Sequence, residues 1–539
     1  MRRLSAALLR AQSGASSVHV LLVGAPASLV ATVAQGWSPT APHLRLVTLN
    51  PSSTEAGVSA FSGHAIDLQD NVSWLDWGDV PGDGYLRGIG RFHGVWIGQP
   101  QWLASSQLAK ALRRHVWQDS WLIAECATGD ALPQTPEHIN RLWADQGWSA
   151  RAPGDALPDV DAVHTPRWPV APAPSAGPSS ALVIGAGLAG ASAAFHLTRR
   201  GWQVQWLDAQ VDWASGASAL PVGLLSPHPT ASPTPMSELS KIGMACTRSH
   251  LDALLPQGLG WQNTPVVRVD DEGLLTHPED AVMIEPKALI EAWGQQALRS
   301  GRMRFQGRAS VERLQRLDGQ WHALGANGHI LAQADVAVVA NAWGAKALLG
   351  DAMSALRAVA GQMSWGPLRA GDAPLAPEVR RSHGVVSPGF QSSHGRIWAV
   401  GSTYRRGVAD PAPSAVDHDA NRDCLARLCP SGLDRFDQQR ANGELQAYVG
   451  VRCASPDRMP LIGAVPDMAS PWPSRGGLTA VPRQPGLFTL TALGSRGLTL
   501  AAWGGETLAD MVQDMPLATE RVWVQACDPA RRGLHSTRV

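Results

Sequence analysis

The chain has 539 residues, too many for one ordinary core, so two to four domains are expected. Hydrophobic residues make up 44% and charged residues 17%, a globular composition that excludes a disordered chain. Basic and acidic residues balance at 45 each, which argues mildly against a nucleic-acid partner, since phosphate contacts usually demand a basic excess.

The opening "MRRLSAALLRAQSG" lacks the apolar core and cleavage pattern of a signal peptide, and no apolar run reaches the roughly 18 residues of a membrane span. Short apolar strands are expected at 18–24, 44–50, 92–98 and 119–126, with helices between the first pair and over 103–116. That alternation predicts a parallel, doubly wound sheet in a domain of residues 1–150. Residues 151–180 carry seven prolines and no apolar periodicity, which reads as a semi-rigid linker. Six cysteines (Cys126, Cys246, Cys424, Cys429, Cys453 and Cys527) form no metal or redox spacing. They read as reduced packing residues of a cytoplasmic protein, with no metal site expected.

The second domain, 181–515, opens on "ALVIGAGLAGASAAFHLTRRGWQVQWLDA". A strand runs into Gly185-Ala186-Gly187-Leu188-Ala189-Gly190, a helix follows, and a second strand ends in Asp208. Gly185 permits the tight turn, Gly187 admits a pyrophosphate to the backbone, and Gly190 lets the helix pack on the strand. The diphosphate belongs at the helix N-terminus, and Asp208 is placed to accept the ribose hydroxyls. Downstream, "ADVAVVANAWGAKAL" (334–348) and "LGSRGLTLAAWGGETLADMV" (493–512) look like the distal strand and closing glycine turn of flavin oxidases, favouring FAD over NAD.

These segments resemble the D-amino-acid-oxidase-like flavoenzymes. Within them, "ASGAS…GLLSPHP" (214–229), "GSTYRRG" (401–407), "LQAYVGVRCASPDRMPLIGAVPD" (445–467) and "LFTLTALGSRGL" (487–498) are similar to the MnmC family of tRNA-modifying proteins. The resemblance implies a Rossmann FAD domain, an antiparallel substrate subdomain at roughly 255–285 and 356–445, and a tail over 516–539. It also implies FAD contacts from Ser215, Gly216, Asn341, Ala342, Gly494, Ser495 and Gly497. The implied reaction is oxidative removal of the carboxymethyl group from 5-carboxymethylaminomethyluridine of tRNA, leaving a 5-aminomethyl base. Its substrate carboxylate calls for a forked guanidinium, with Arg452 and Arg496 as candidates and Tyr404 as a hydrogen-bonding partner. His228 reads as structural.

The sequence departs from that pattern in places. Ala358-Val359-Ala360-Gly361-Gln362 lacks the arginine of the family's Pro-x-Arg-Gly-Gln, and the segment between 273 and 283 is short. The family also carries an N-terminal S-adenosylmethionine-dependent methyltransferase domain. Here the glycine-rich loop has become Gly24-Ala25-Pro26-Ala27, the ribose acid has become Asn50, and Gly98-Gln99-Pro100 replaces the Asp-Gly-Phe-Ala-Pro motif, leaving only Asp79. A Rossmann-like methyltransferase fold that has lost its cofactor is expected. Two other readings stay open: a small-amine oxidase of the glycine or sarcosine type, and a non-catalytic flavoprotein that binds tRNA. Nothing in the sequence sets the oligomeric state.

Overall fold

The computed structural model describes residues 2–12, 17–38, 41–49, 66–69, 72–76, 91–112, 115–125, 134–150, 161–164, 179–226, 228, 230, 232–270, 275, 279–472, 477–517 and 519–531. Two compact units divide the chain between Ser179 and Ser180, with Arg199–Trp202 and Ala509–Val524 grouped with the first.

The first unit holds an eight-stranded sheet of β1 (Ser17–Val23), β2 (His43–Leu49), β3 (Ile66–Gln69), β4 (Val72–Asp76), β5 (Phe92–Ile97), β6 (Val116–Ala124), β7 (Trp148–Ala150) and β8 (Asp161–His164), ordered β3-β4-β2-β1-β5-β6-β8-β7. The five strands from β4 to β6 run parallel, while β3, β7 and β8 add antiparallel edges. β1 is buried on both faces, as a parallel strand between helical layers must be. Val18, Val20 and Leu22 join the core under the helices Arg2–Gln12 and Ala27–Gln35, whereas Leu21 and Val23 join the core with Leu108, Ile139 and Trp143.

Two sequence expectations change here. The helix expected over 103–116 breaks into Pro100–Leu103 and Ser106–Leu112. Asp161–His164, counted within the proline-rich linker, forms β8 and inserts between β6 and β7. Four residues are too few for a periodicity to be legible, and it is pairing that defines this strand.

The second unit has a six-stranded sheet ordered Met303–Gln306, β10 (Gln203–Leu207), β9 (Ser180–Ile184), Val336–Val339, Arg483–Thr491 and Leu461–Pro466, of which only the last is antiparallel. The chain leaves β9 for β10 on one side and later adds Val336–Val339 on the other. β9 therefore marks the switch point where such sheets open a crevice at their carboxyl ends. A nine-stranded sheet covers that end, antiparallel except where Trp261–Arg268 meets Val379–Arg381. It is larger than the expected subdomain, because Gly223–Leu225 and Gln446–Ala454 belong to it as well. Residues of the expected tail are also pinned. Asp528 receives both arms of Arg483 at 2.8–2.9 Å, and Arg531 forks onto Asp457 at 2.9–3.0 Å. Cys246, Cys424, Cys429, Cys453 and Cys527 are buried thiols, Cys126 lies outside the described residues, and no metal-holding cluster occurs among the described residues.

Burial holds two histidines of the first unit neutral, against the pull of the Arg91 carbonyl on His19. His19 must donate from Nδ1 to the Arg91 carbonyl (3.1 Å), and in the neutral ring that burial favours, Nε2 accepts from Ser17 Oγ (2.9 Å). The His19 amide in turn donates to His93 Nδ1 at 3.1 Å. Burial pushes His19 and His43 well below the usual histidine range and His93 down to about 4. Protonation thus favours the unfolded chain. Stability of this unit should be at full value above about pH 6.5 and decline as the pH falls toward 4. Hydrogen exchange on the full chain should read this as lost protection of β1 and β5 amides across that window. Unchanged protection would contradict it.

Candidate active site

The turn after β9 is built on close backbone approach. Gly185 has φ +109°, and a Cβ there would lie 2.7 Å from the Ala340 carbonyl oxygen. A Cβ on Gly190 would lie 1.8 Å from the Gly185 carbonyl oxygen, the same oxygen that accepts from Trp206 Nε1 at 2.8 Å. Asp208 ends β10 and ties the turn from the other side. Its Oδ2 accepts from the Ala186 amide (2.6 Å) and its Oδ1 from the Gln210 amide (2.7 Å), leaving further lone pairs for hydroxyl donors. The helix Leu188–Arg199 starts here with first-turn amides that no carbonyl of its own can satisfy.

Gly187 and Ala189 open onto a cavity of about 550 Å3 that continues past Ala342, Gly494, Ser495 and Gly497 to the nine-stranded sheet. Ser218, one turn beyond Ser215 and Gly216, accepts from the Leu188 amide at 3.1 Å and stands 2.9 Å from where a Gly187 side chain would begin. Tyr448 donates its hydroxyl to the Gly216 carbonyl, and burial raises its pKa. Asn341 lies at the carboxyl end of Val336–Val339, and its Oδ1 is buried without a hydrogen-bond partner among the described residues. The helix N-terminus opens onto an elongated cavity, Asp208 is tied to the same turn through the Ala186 amide, and Asn341 follows the neighbouring strand. Asp208 and Asn341 themselves are not part of the cavity wall, but the turn as a whole fits a flavin dinucleotide.

At the other end of the cavity stands Arg452, on the strand Gln446–Ala454 and half-buried. Its Nη2 donates to Ser402 Oγ, its Nη1 to the Thr403 carbonyl (3.4 Å), and its guanidinium lies 4.5 Å from the Tyr404 ring centroid. A Cβ on Gly361 would lie 2.3 Å from that Nη1, so the missing side chain is what admits the guanidinium. No carboxylate pairs with Arg452 among the described residues, and burial lowers its pKa against the opposing pull of Tyr404 and Tyr448. Tyr404 meets it through the ring face. Arg496 makes a contact of its own, with Nη2 3.1 Å from His228 Nε2, while Tyr404 favours its charge as it does that of Arg452. Sequence reasoning read His228 as structural, yet it lines the cavity.

In the first unit the corresponding glycine loop is covered. Gly24 has φ +67°, and a Cβ there would lie 3.0 Å from Cδ of Gln99, whose side chain crosses the loop. A Cβ on Gly98 would lie 2.2 Å from the Trp96 ring, and Trp96 Nε1 donates to Glu125 (3.2 Å). Pro26 caps the following helix without a side-chain hydrogen bond. Asn50 and Asp79 lie outside the described residues.

The family model described as FAD dependent oxidoreductase (DAO) matches residues 180–277 and 264–511. The chain is 30% identical over 459 residues to the tRNA 5-methylaminomethyl-2-thiouridine biosynthesis bifunctional protein MnmC of Polaromonas naphthalenivorans, covering 77% of this chain and 68% of that one. It is 32% identical to the MnmC of Verminephrobacter eiseniae, covering 75% and 73% of the two chains. This chain belongs to the MnmC family of FAD-dependent oxidoreductases. Its fold is shared by the fructosamine oxidase Amadoriase II of Aspergillus fumigatus, 17% identical with a TM-score of 0.51 over 67% of this chain and 91% of that one.

For a member of the MnmC family, Ala360 stands where an arginine is expected. It is fully buried, paired with Arg405 on one side and Val451 on the other. Of the residues that sequence reasoning missed, Ser218 and Tyr448 act through backbone contacts, Gly361 by absence of bulk, and Ser402 through a hydroxyl that the fold alone brings to Arg452; no residue type announces that. The Gly187 approach yields a direct check. Gly187→Val should overpack the Ser218 contact by about 1–3 kcal/mol and lower flavin content roughly tenfold or more. Visible absorbance per mole of folded protein measures it, and a fully yellow variant would remove Gly187 from the site.

Proposed function

We propose that the second unit oxidises the 5-carboxymethylaminomethyl group of a tRNA wobble uridine, releasing glyoxylate and leaving the 5-aminomethyl base. The supporting observation is Arg452, a guanidinium held at the cavity wall with donors to spare and no carboxylate partner among the described residues. The names of relatives covering about three-quarters of the chain supply the tRNA substrate. Gly185, Ala186, Gly187, Ala189 and Gly190 would hold the FAD diphosphate and Asp208 its ribose. Ser215, Gly216, Asn341, Ala342, Gly494, Ser495 and Gly497 would surround the remainder. A bound flavin supplies two-electron oxidation of the glycine-like C–N bond to an imine, which water splits into glyoxylate and a primary amine.

The chain's own residues orient the substrate. Arg452 grips the carboxylate with its fork, while Ser402 and the Tyr404 ring fix the plane of that fork. No carboxylate lines the cavity among the described residues, and its guanidiniums oppose a second positive charge. The substrate nitrogen is thereby favoured in its neutral form, the form that oxidation requires. Acting on tRNA places the protein in the cytoplasm.

Arg452→Ala should cost about 1.5–3 kcal/mol in kcat/KM for glyoxylate release from modified tRNA. Arg452→Lys should recover little, because an ammonium lacks the fork. Normal turnover in Arg452→Ala would refute the clamp, and faster turnover of free sarcosine than of tRNA would favour a small-amine oxidase.

We further infer that the first unit does not bind S-adenosylmethionine. Gln99 covers the Gly24 backbone that a nucleotide cofactor must approach, and Pro26 removes an amide from that turn. Methylation of the exposed amine then falls to a separate N-methyltransferase. Calorimetry on the full chain should register no binding of S-adenosylmethionine, and a micromolar dissociation constant would overturn the inference.

A further inference from the structure

The cavity rim carries more positive charge than a carboxylate substrate requires. Arg452 already supplies one fork at depth. A second group gathers around His228, in the loop after Gly223–Leu225. Arg496 reaches it from the residue before the helix Gly497–Val512, with Nη2 3.1 Å from Nε2 and 3.4 Å from Nδ1. Arg381, on Val379–Arg381, comes from the nine-stranded sheet; its Nη1 donates to Ser226 Oγ at 2.5 Å and its Nη2 to Glu279 at 3.1 Å. His228, Arg381 and Arg496 all line the cavity. Partial burial and the guanidiniums of Arg496, Arg381 and Arg268 lower the pKa of His228. Arg496 is itself pushed down by burial and by Arg458.

Glu279 already offsets Arg381, whereas among the described residues the Arg496 side chain meets only the His228 ring and loses hydration on burial, so its charge is the one left to be balanced by an incoming anion. Arg496 has no carboxylate partner among the described residues. The anion cannot be the substrate carboxylate, which the Arg452 fork takes. An extruded nucleotide brings a second anion of its own, the backbone phosphate beside its ribose. We propose that Arg496 and His228, with Arg381 behind them, form a phosphodiester subsite at the cavity rim that anchors the RNA backbone next to the reacting base. The inference rests on the tRNA reading above and deepens it. It divides the two candidate arginines, giving Arg452 the carboxylate and Arg496 the backbone. It also explains how a chain with no net charge takes a polyanion, since a few cations concentrated at one mouth suffice.

The test compares a short anticodon-loop RNA carrying the modified uridine with the free modified nucleoside, which has no phosphate. In Arg496→Gln and His228→Asn holoenzymes, the RNA-to-nucleoside ratio of kcat/KM should fall about tenfold. In Arg496→Gln the slope of log RNA affinity against log salt, read by fluorescence anisotropy, should shrink by about 0.7–1 for the lost cation–phosphate contact, while His228→Asn, which removes a neutral ring, should leave the slope nearly unchanged. An unchanged ratio with an unchanged slope in Arg496→Gln would overturn the subsite, as would the free nucleoside binding as tightly as the RNA. If the unaltered protein releases glyoxylate from neither substrate, the proposed oxidation fails. The salt slope then decides the subsite by itself.

Discussion

The second unit depends on one contact, the Gly185 carbonyl lying against Gly190. No side chain fits between them, so the helix Leu188–Arg199 settles directly on β9, and Trp206 of β10 donates to the same oxygen. One backbone oxygen thus locks strand, helix and neighbouring strand together. Asp208 then reaches back to the Ala186 amide, Gly185 abuts Ala340 at the end of the next strand, and Ser218 meets the Leu188 amide. With these elements converging on one helix N-terminus, the field of the first-turn amides points into the cavity and not into protein.

The cavity is electrostatically one-sided. Arg452, Arg381 and Arg496 line it, and carboxylates are missing from its wall among the described residues. Holding a half-buried guanidinium without a counter-ion is costly, and the structure moderates the cost with neutral partners: Ser402 Oγ, the Thr403 carbonyl and the Tyr404 ring. Neutral partners steady the group without neutralising it, which keeps its charge available to an incoming anion. Gly361 is as necessary as the arginine, since any side chain there would occupy the guanidinium's place.

The first unit reaches a different end from the same kind of scaffold. Its central strands are parallel and buried on both faces, and Gly24 sits at the carboxyl end of β1 as in a nucleotide-binding sheet. Gln99 leans across from the end of β5 and fills the space above it. A doubly wound sheet provides the crevice, but whether the crevice is open depends on the side chains lining it.

The sequence by itself determined the elements that repeat a local rule. The βαβ unit from Ser180 to Asp208 was legible because glycine spacing, apolar strands and a terminal acid are all short-range. The family was legible because long motifs such as 445–467 are specific. Strand β8 was not, since four residues inside a proline-rich stretch become a strand only when β6 and β7 offer partners. Only tertiary structure could separate Arg452 from Arg496. Both are arginines in glycine-rich motifs, but one is laid against Gly361 and Tyr404 while the other meets His228, 268 residues earlier in the chain. Residue type sets which contacts a side chain is able to make, and the fold decides which of them it does make.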